Sequence, residues 1–181
     1  MKLYSAPRTR AIRARWLLEE LEVPYALAVV EGPLALHPLG EVPVLEDGEL
    51  TLFESSAICL YLADRFPQKR LAPPVDSVER GPYLQWLLFA EVTLEPPVLA
   101  RLRGELDAAQ AARLDAVLTA IERHLHGREF VAGAAFSAAD VVLASILHLA
   151  NTLKLLERFP GLYDYVARHT RRPAVRRAVS G

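Results

Sequence analysis

The chain has 181 residues, a formal net charge of −1, one cysteine and 52% hydrophobic residues, the balance of an ordinary globular protein. A near-neutral charge gives no electrostatic basis for a nucleic-acid partner, the single Cys59 excludes an internal disulfide, and no Cys/His cluster has metal-ligand spacing. No apolar run is long enough to cross a bilayer and the N-terminus has no apolar leader core, so no membrane partner and a cytoplasmic location are expected.

Residues 2–5, KLYS, form a short strand that Pro7 breaks. RTRAIRARWLLEELE follows with Ile12, Trp16, Leu17 and Leu21 at helical spacing, and Val23-Pro24 stops that helix. YALAVV reads as a second strand, so strand, helix and strand make a βαβ unit with parallel pairing. VPVL and LTLF are two further strands joined by EDGE, a hairpin signal centred on Asp47-Gly48. Residues 55–66 form a helix ending before Pro67. Cys59 in that helix reads as a buried thiol, and without a Cys-x-x-Cys pair the chain runs no dithiol cycle of its own.

PQKRLAPPVDS, residues 67–77, reads as a linker, and everything after it as helix. Ser77 caps a helix carrying Leu84, Leu87, Leu88, Glu91 and Val92, which Pro96-Pro97 ends or kinks. Tyr83, Trp86 and Phe89 give that helix more aromatic surface than one core face needs. Leu114, Val117, Leu118, Ile121 and Leu125 mark one face of a second helix. Ser137-Ala-Ala-Asp140 is a capping box, with Phe136 and Val141 at staple spacing around it. VVLASILHLA is apolar nearly all round and should be the buried axis of this region, with His148 as a hydrogen-bonded core histidine. The expected class is α/β plus all-α, a βαβ-ββα domain over residues 1–74 followed by a helical domain over 77–181.

Three segments carry a family resemblance. RTRAIRARWLLEELEVPYAL, HPLGEVPVLEDGELTLFESSAICLYLADRF and FVAGAAFSAADVVLA together resemble the cytosolic glutathione transferases of bacterial and fungal type, across both domains. The resemblance implies a thioredoxin-like first domain that binds glutathione as co-substrate, with no metal. It implies attack of the glutathione thiolate on a small hydrophobic electrophile, a role in detoxification, and a homodimer. Glutathione-dependent reduction of disulfides or peroxides, or a non-catalytic interaction module, are the alternatives.

Carried onto this sequence, the resemblance implies a cis peptide at Val42-Pro43 that presents the Val42 amide and carbonyl to the cysteinyl backbone of glutathione. Glu54 would accept the γ-glutamyl amine. The Ser55 hydroxyl and the N–H groups opening the following helix would take its carboxylate. A free thiol has a pKa of about 8.5, so the site needs a donor that favours the thiolate. Thr9 is the first choice, aligned with a helix-start serine of relatives; Ser5 is the second, Tyr4 occupies the register of tyrosine-using relatives, and Arg10 could add charge. Relatives often carry Lys or Gln where this chain has Glu41, the wrong sign for the glycyl carboxylate, and His37 is the substitute. The acceptor site is expected along Pro96-Pro97 to Arg103 and the first helix, where Val98 and Leu102 suit an apolar electrophile.

Overall fold

A computed structural model of the chain describes residues 1–180, which fall into two units, one built on residues 1–70 and one on Leu71–Arg172. The first contains β1 (Lys2–Ser5), α1 (Ala11–Leu21), β2 (Ala26–Val29), β3 (Val44–Asp47), β4 (Leu50–Phe53) and α2 (Ser55–Arg65). Its sheet has the order β2-β1-β3-β4: β1 pairs with β2 in parallel, and the β1–β3 and β3–β4 pairs are antiparallel. This mixed sheet with its two helices is the expected thioredoxin-like arrangement.

Strand alternation sorts the two faces of the sheet. Leu3 lies opposite Leu45, and both are fully buried. Tyr4 is on the other face, where its hydroxyl donates to Glu46 Oε2 at 2.7 Å. α1 packs on α2 through a buried face that includes Ala14, Leu17, Leu18 and Leu21. The β3–β4 turn is made at Gly48, whose φ of 64° is cheap only for glycine. α2 ends at Arg65, two positions before Pro67, with the C-cap Phe66 N–H bonded back to Leu62 O. Cys59 is buried there, as expected.

The second unit is helical: α3 (Arg80–Leu88), α4 (Glu95–Arg103), α5 (Ala108–Leu125), α6 (Ala138–Thr152) and α7 (Pro160–Thr170). Pro96-Pro97 neither ends nor breaks the chain's helical path. A π-helical segment, Phe89–Leu94, joins α3 directly to α4. Prolines supply no N–H to the carbonyls one turn back, and a widened preceding turn shifts the register so that the helix passes them. Ser77 caps slightly upstream of α3, accepting from Glu79 N at 3.2 Å. The aromatic surface expected here is smaller: Tyr83 is fully buried, while Trp86 stacks on His124 with centroids 3.9 Å apart. Leu88 and Val92 are the exposed apolar side chains instead.

α6 is the buried axis, with ten of its fifteen residues buried. Its capping box is present. Ser137 N donates to Asp140 Oδ2 at 2.9 Å, and Asp140 also accepts from Ser137 Oγ, Val131 N and Tyr165 Oη. Burial pushes the Asp140 carboxyl above its ordinary value, against the downward pull of these donors. His148 departs from expectation: it is exposed, near the C-terminal end of α6. A second capping box, Asp107 with Gln110, opens α5.

The last helix, α8 (Pro173–Val179), belongs with the first unit rather than with the helical domain expected to run to residue 181. It packs on α1, burying Ala174 and Ala178. Arg177 donates to both the carboxylate and the backbone carbonyl of Glu19 at 2.8 Å. Among the described residues no helix is long and apolar enough to cross a membrane.

Candidate functional site

The residues singled out from the sequence gather at three places in the first unit: the start of α1, the entry to β3, and the start of α2. At the first, β1 ends at Ser5 and α1 begins at Ala11. Thr9 ties this turn together. Its Oγ1 donates to Ala6 O at 2.7 Å and accepts from Ala11 N at 3.3 Å, and its carbonyl accepts from Ile12 N. The hydroxyl is therefore spent within the turn that leads into α1. Ser5 is half-buried, on the Leu3 face of β1, and makes no side-chain hydrogen bond among the described residues. Arg10 is exposed at the N-cap of α1. The Tyr4 hydroxyl is committed to Glu46 on the opposite face of the sheet.

At the entry to β3 the Val42-Pro43 peptide is cis, as the resemblance implies. Val42 precedes the β1–β3 ladder, which begins at Val44. Residues 34–40 fold back on themselves through Leu34 N to Gly40 O, His37 N to Leu34 O and Gly40 N to His37 O. Gly40 is required for that loop: its φ is 74°, and a Cβ there would lie 3.0 Å from Pro33 Cβ. His37 is not a surface histidine. It is buried, Nδ1 accepts from Leu39 N at 3.0 Å, and its ring meets Phe53 edge-on with centroids 4.9 Å apart. Its neutral form therefore carries the proton on Nε2. Glu41 is exposed immediately before Val42.

At the start of α2 the chain turns from strand to helix in a single residue. Glu54 makes that turn with φ 69° and ψ 116°, a conformation that costs a non-glycine residue about 1–3 kcal/mol. Its side chain is exposed, while its carbonyl accepts the first helical bond, from Ile58 N at 2.9 Å. The N–H groups of Ser55 and Ser56 thus open α2 with no intrahelical partner, at the positive end of the helix dipole. Both serines are buried. Ser55 Oγ accepts from Arg13 Nη1 at 3.2 Å, whereas Ser56 Oγ has no partner among the described residues. Arg13 escaped sequence reasoning. Its signal was a charged residue between Ile12 and Ala14, inside the apolar pattern of α1.

An exposed carboxylate beside open helical N–H groups and a buried cation matches a ligand that carries an amine and a carboxylate on one carbon. Comparison with known proteins gives the family. Residues 1–64 match the family described as glutathione S-transferase, N-terminal domain, and residues 78–168 match the glutathione S-transferase, C-terminal domain. The chain belongs to the glutathione transferase family. Glutathione S-transferase GstB of Escherichia coli K12 is 31% identical over 90% of this chain and 88% of that protein. GstA of Escherichia coli O157:H7 is 29% identical over 99% of this chain and 98% of its own length. A sphingomonad glutathione S-transferase solved in complex with glutathione superposes with a TM-score of 0.90 at 29% identity, over 99% of this chain and 97% of that one. This family member is an enzyme, with the family's mixed-sheet and helical units in the family's order. Val98, expected along the acceptor site, is instead fully buried in the core, whereas Leu102 is exposed.

Proposed function

We propose that the protein is a glutathione transferase that ionises the glutathione thiol and joins it to small hydrophobic electrophiles. The observation that carries this reading is Glu54, held exposed in a strained backbone conformation directly ahead of the open N–H groups of α2. Strain of that kind persists where the surroundings impose it, and it clusters at binding sites. In this reading Glu54 accepts the γ-glutamyl ammonium, Ser55 and the α2 N-terminus take its carboxylate, and the Val42 backbone pairs with the cysteinyl residue. Glu41 stands at the glycyl end.

The thiol then falls at the start of α1. Thr9 and Ser5 are the two hydroxyls on offer, and their hydrogen bonds separate them. Thr9 already gives its proton to Ala6 O, while the Ser5 hydroxyl is uncommitted. Ser5 is accordingly the donor to the thiolate, Thr9 fixes the turn that aims α1 at it, and Arg10 adds positive charge. Lowering a thiol pKa by one unit takes about 1.4 kcal/mol of preferential stabilisation of the anion, within reach of one hydroxyl and a helix N-terminus. The thiolate attacks the electrophilic carbon, and the leaving group departs with the bonding electron pair.

A cytoplasmic homodimer with a role in detoxification completes the proposal. Leu88 and Val92, 49% and 68% exposed on the continuous α3–α4 path, are apolar side chains that a partner subunit would cover. A panel of an aryl halide, a disulfide and a hydroperoxide, each with glutathione, tests the reading. Turnover of the aryl halide is expected. Activity confined to the disulfide or hydroperoxide would make the protein a glutathione-dependent reductase. Retention on immobilised glutathione with no turnover would make it a binding module.

A further inference from the structure

Arg13 projects from α1 into the buried layer against α2, where its Nη1 lies 3.2 Å from Ser55 Oγ. A guanidinium has donors only, so the serine oxygen is the acceptor in this bond and its own proton must point elsewhere. Ser55 makes no other side-chain hydrogen bond among the described residues, so its proton has no acceptor within the protein. Beside it lie the open N–H groups of α2, which are donors with no intrahelical acceptor. We propose that Arg13 is a positioning residue for glutathione: by occupying the acceptor side of Ser55 it fixes that hydroxyl as a donor to the γ-glutamyl carboxylate.

The inference rests on the reading that Ser55 receives this carboxylate, and it adds what makes the serine donate. In this reading Arg13 acts on the ligand through the Ser55 hydroxyl, by a charge-assisted hydrogen bond. Lysine in its place would keep the charge but lose the planar fork that holds the bond in one direction.

Calorimetric titration tests this with Arg13→Lys, Arg13→Gln, Ser55→Ala and the double variant Arg13→Lys/Ser55→Ala. Each is titrated with glutathione and with 4-aminobutyryl-cysteinyl-glycine, which is glutathione without the γ-glutamyl carboxylate. Each Arg13 variant is expected to bind glutathione about tenfold more weakly, with the analogue's affinity unchanged and the double variant no weaker than Ser55→Ala alone. Multiplying losses in the double variant, or equal losses for both ligands, would overturn the proposal in favour of a purely structural arginine. Unfolding of both Arg13 single variants, followed by circular dichroism, would overturn it in the same way. Ser55→Ala binding glutathione normally would instead overturn the underlying assignment of Ser55.

Discussion

Thr9 Oγ1 gives its proton to the carbonyl of Ala6 across 2.7 Å and closes the turn between β1 and α1. A hydroxyl used in this way holds a turn before it serves a thiolate, and the serine and threonine variants should separate accordingly. Ser5→Ala is expected to lower kcat about tenfold or more, through a raised pKa of the bound thiol, with little change in glutathione affinity. Thr9→Ala is expected to cost about 1 kcal/mol of stability with a smaller effect on rate. Ultraviolet titration of the bound thiolate checks both. If Thr9→Ala raises the thiol pKa and Ser5→Ala does not, the roles are exchanged.

Glu54 combines an exposed carboxylate with a backbone that suits glycine. Glu54→Gly should therefore lose glutathione affinity, because a bound ammonium is left without its anion. Its melting temperature should stay within a few degrees of the parent, since relief of the left-handed φ offsets the added freedom of the unfolded chain. An unchanged Michaelis constant for glutathione would remove Glu54 from the site.

Glu41 is exposed next to Val42, where the proposed function puts the glycyl carboxylate. Two like charges at about 4 Å repel by about 1 kcal/mol in water and up to about 4 kcal/mol at an effective dielectric of 20, and an exposed position favours the lower end. Glu41→Lys should improve glutathione affinity several-fold at low ionic strength, and the gain should shrink as salt is added. No gain at low salt would place the glycyl end elsewhere.

Glu19 links α1 to α8 through Arg177 and also accepts from the Tyr25 hydroxyl at 2.7 Å. Burial pushes its carboxyl upward, but the bonds from Tyr25 and Arg177 outweigh that and hold it below the ordinary 4.5. A depressed carboxyl contributes stability above its unfolded value, which is lost as pH falls through the folded one. The melting temperature of the protein should thus exceed that of Glu19→Gln at neutral pH, and the difference should close as pH drops below about 4.5. A difference that persists undiminished at pH 3 would show that the carboxylate charge plays no part.

Asp140 answers four donors from three segments of the helical unit. Asp140→Ala would orphan the buried N–H groups of Val131 and Ser137 and the Tyr165 hydroxyl, at about 1–3 kcal/mol each. Chemical denaturation should show a loss of at least about 3 kcal/mol, and Tyr165→Phe about 1 kcal/mol. A loss below 1 kcal/mol for Asp140→Ala would mean that solvent replaces the carboxylate.

The sequence by itself determined the elements and their class. Alternation in KLYS, VPVL and LTLF, the Asp47-Gly48 turn and the spacing of Ser137 and Asp140 are local signals, set by backbone sterics and by the period of apolar side chains within one element. Glu54 and Ser55 were legible for the same reason, since a strand end and a helix start are adjacent in the chain. The tertiary structure decided what depends on partners far apart in sequence. Arg13 meets Ser55 across 42 positions, and Arg177 meets Glu19 across 158, which brings the last helix to the first unit. His148 is exposed on α6, whereas His37 is buried with its ring edge-on to Phe53 of β4. Thr9 and Ser5 look alike in sequence for a different reason: the contact that commits the Thr9 proton is local, to the carbonyl of Ala6 three positions earlier, but it depends on how the backbone of that turn is folded.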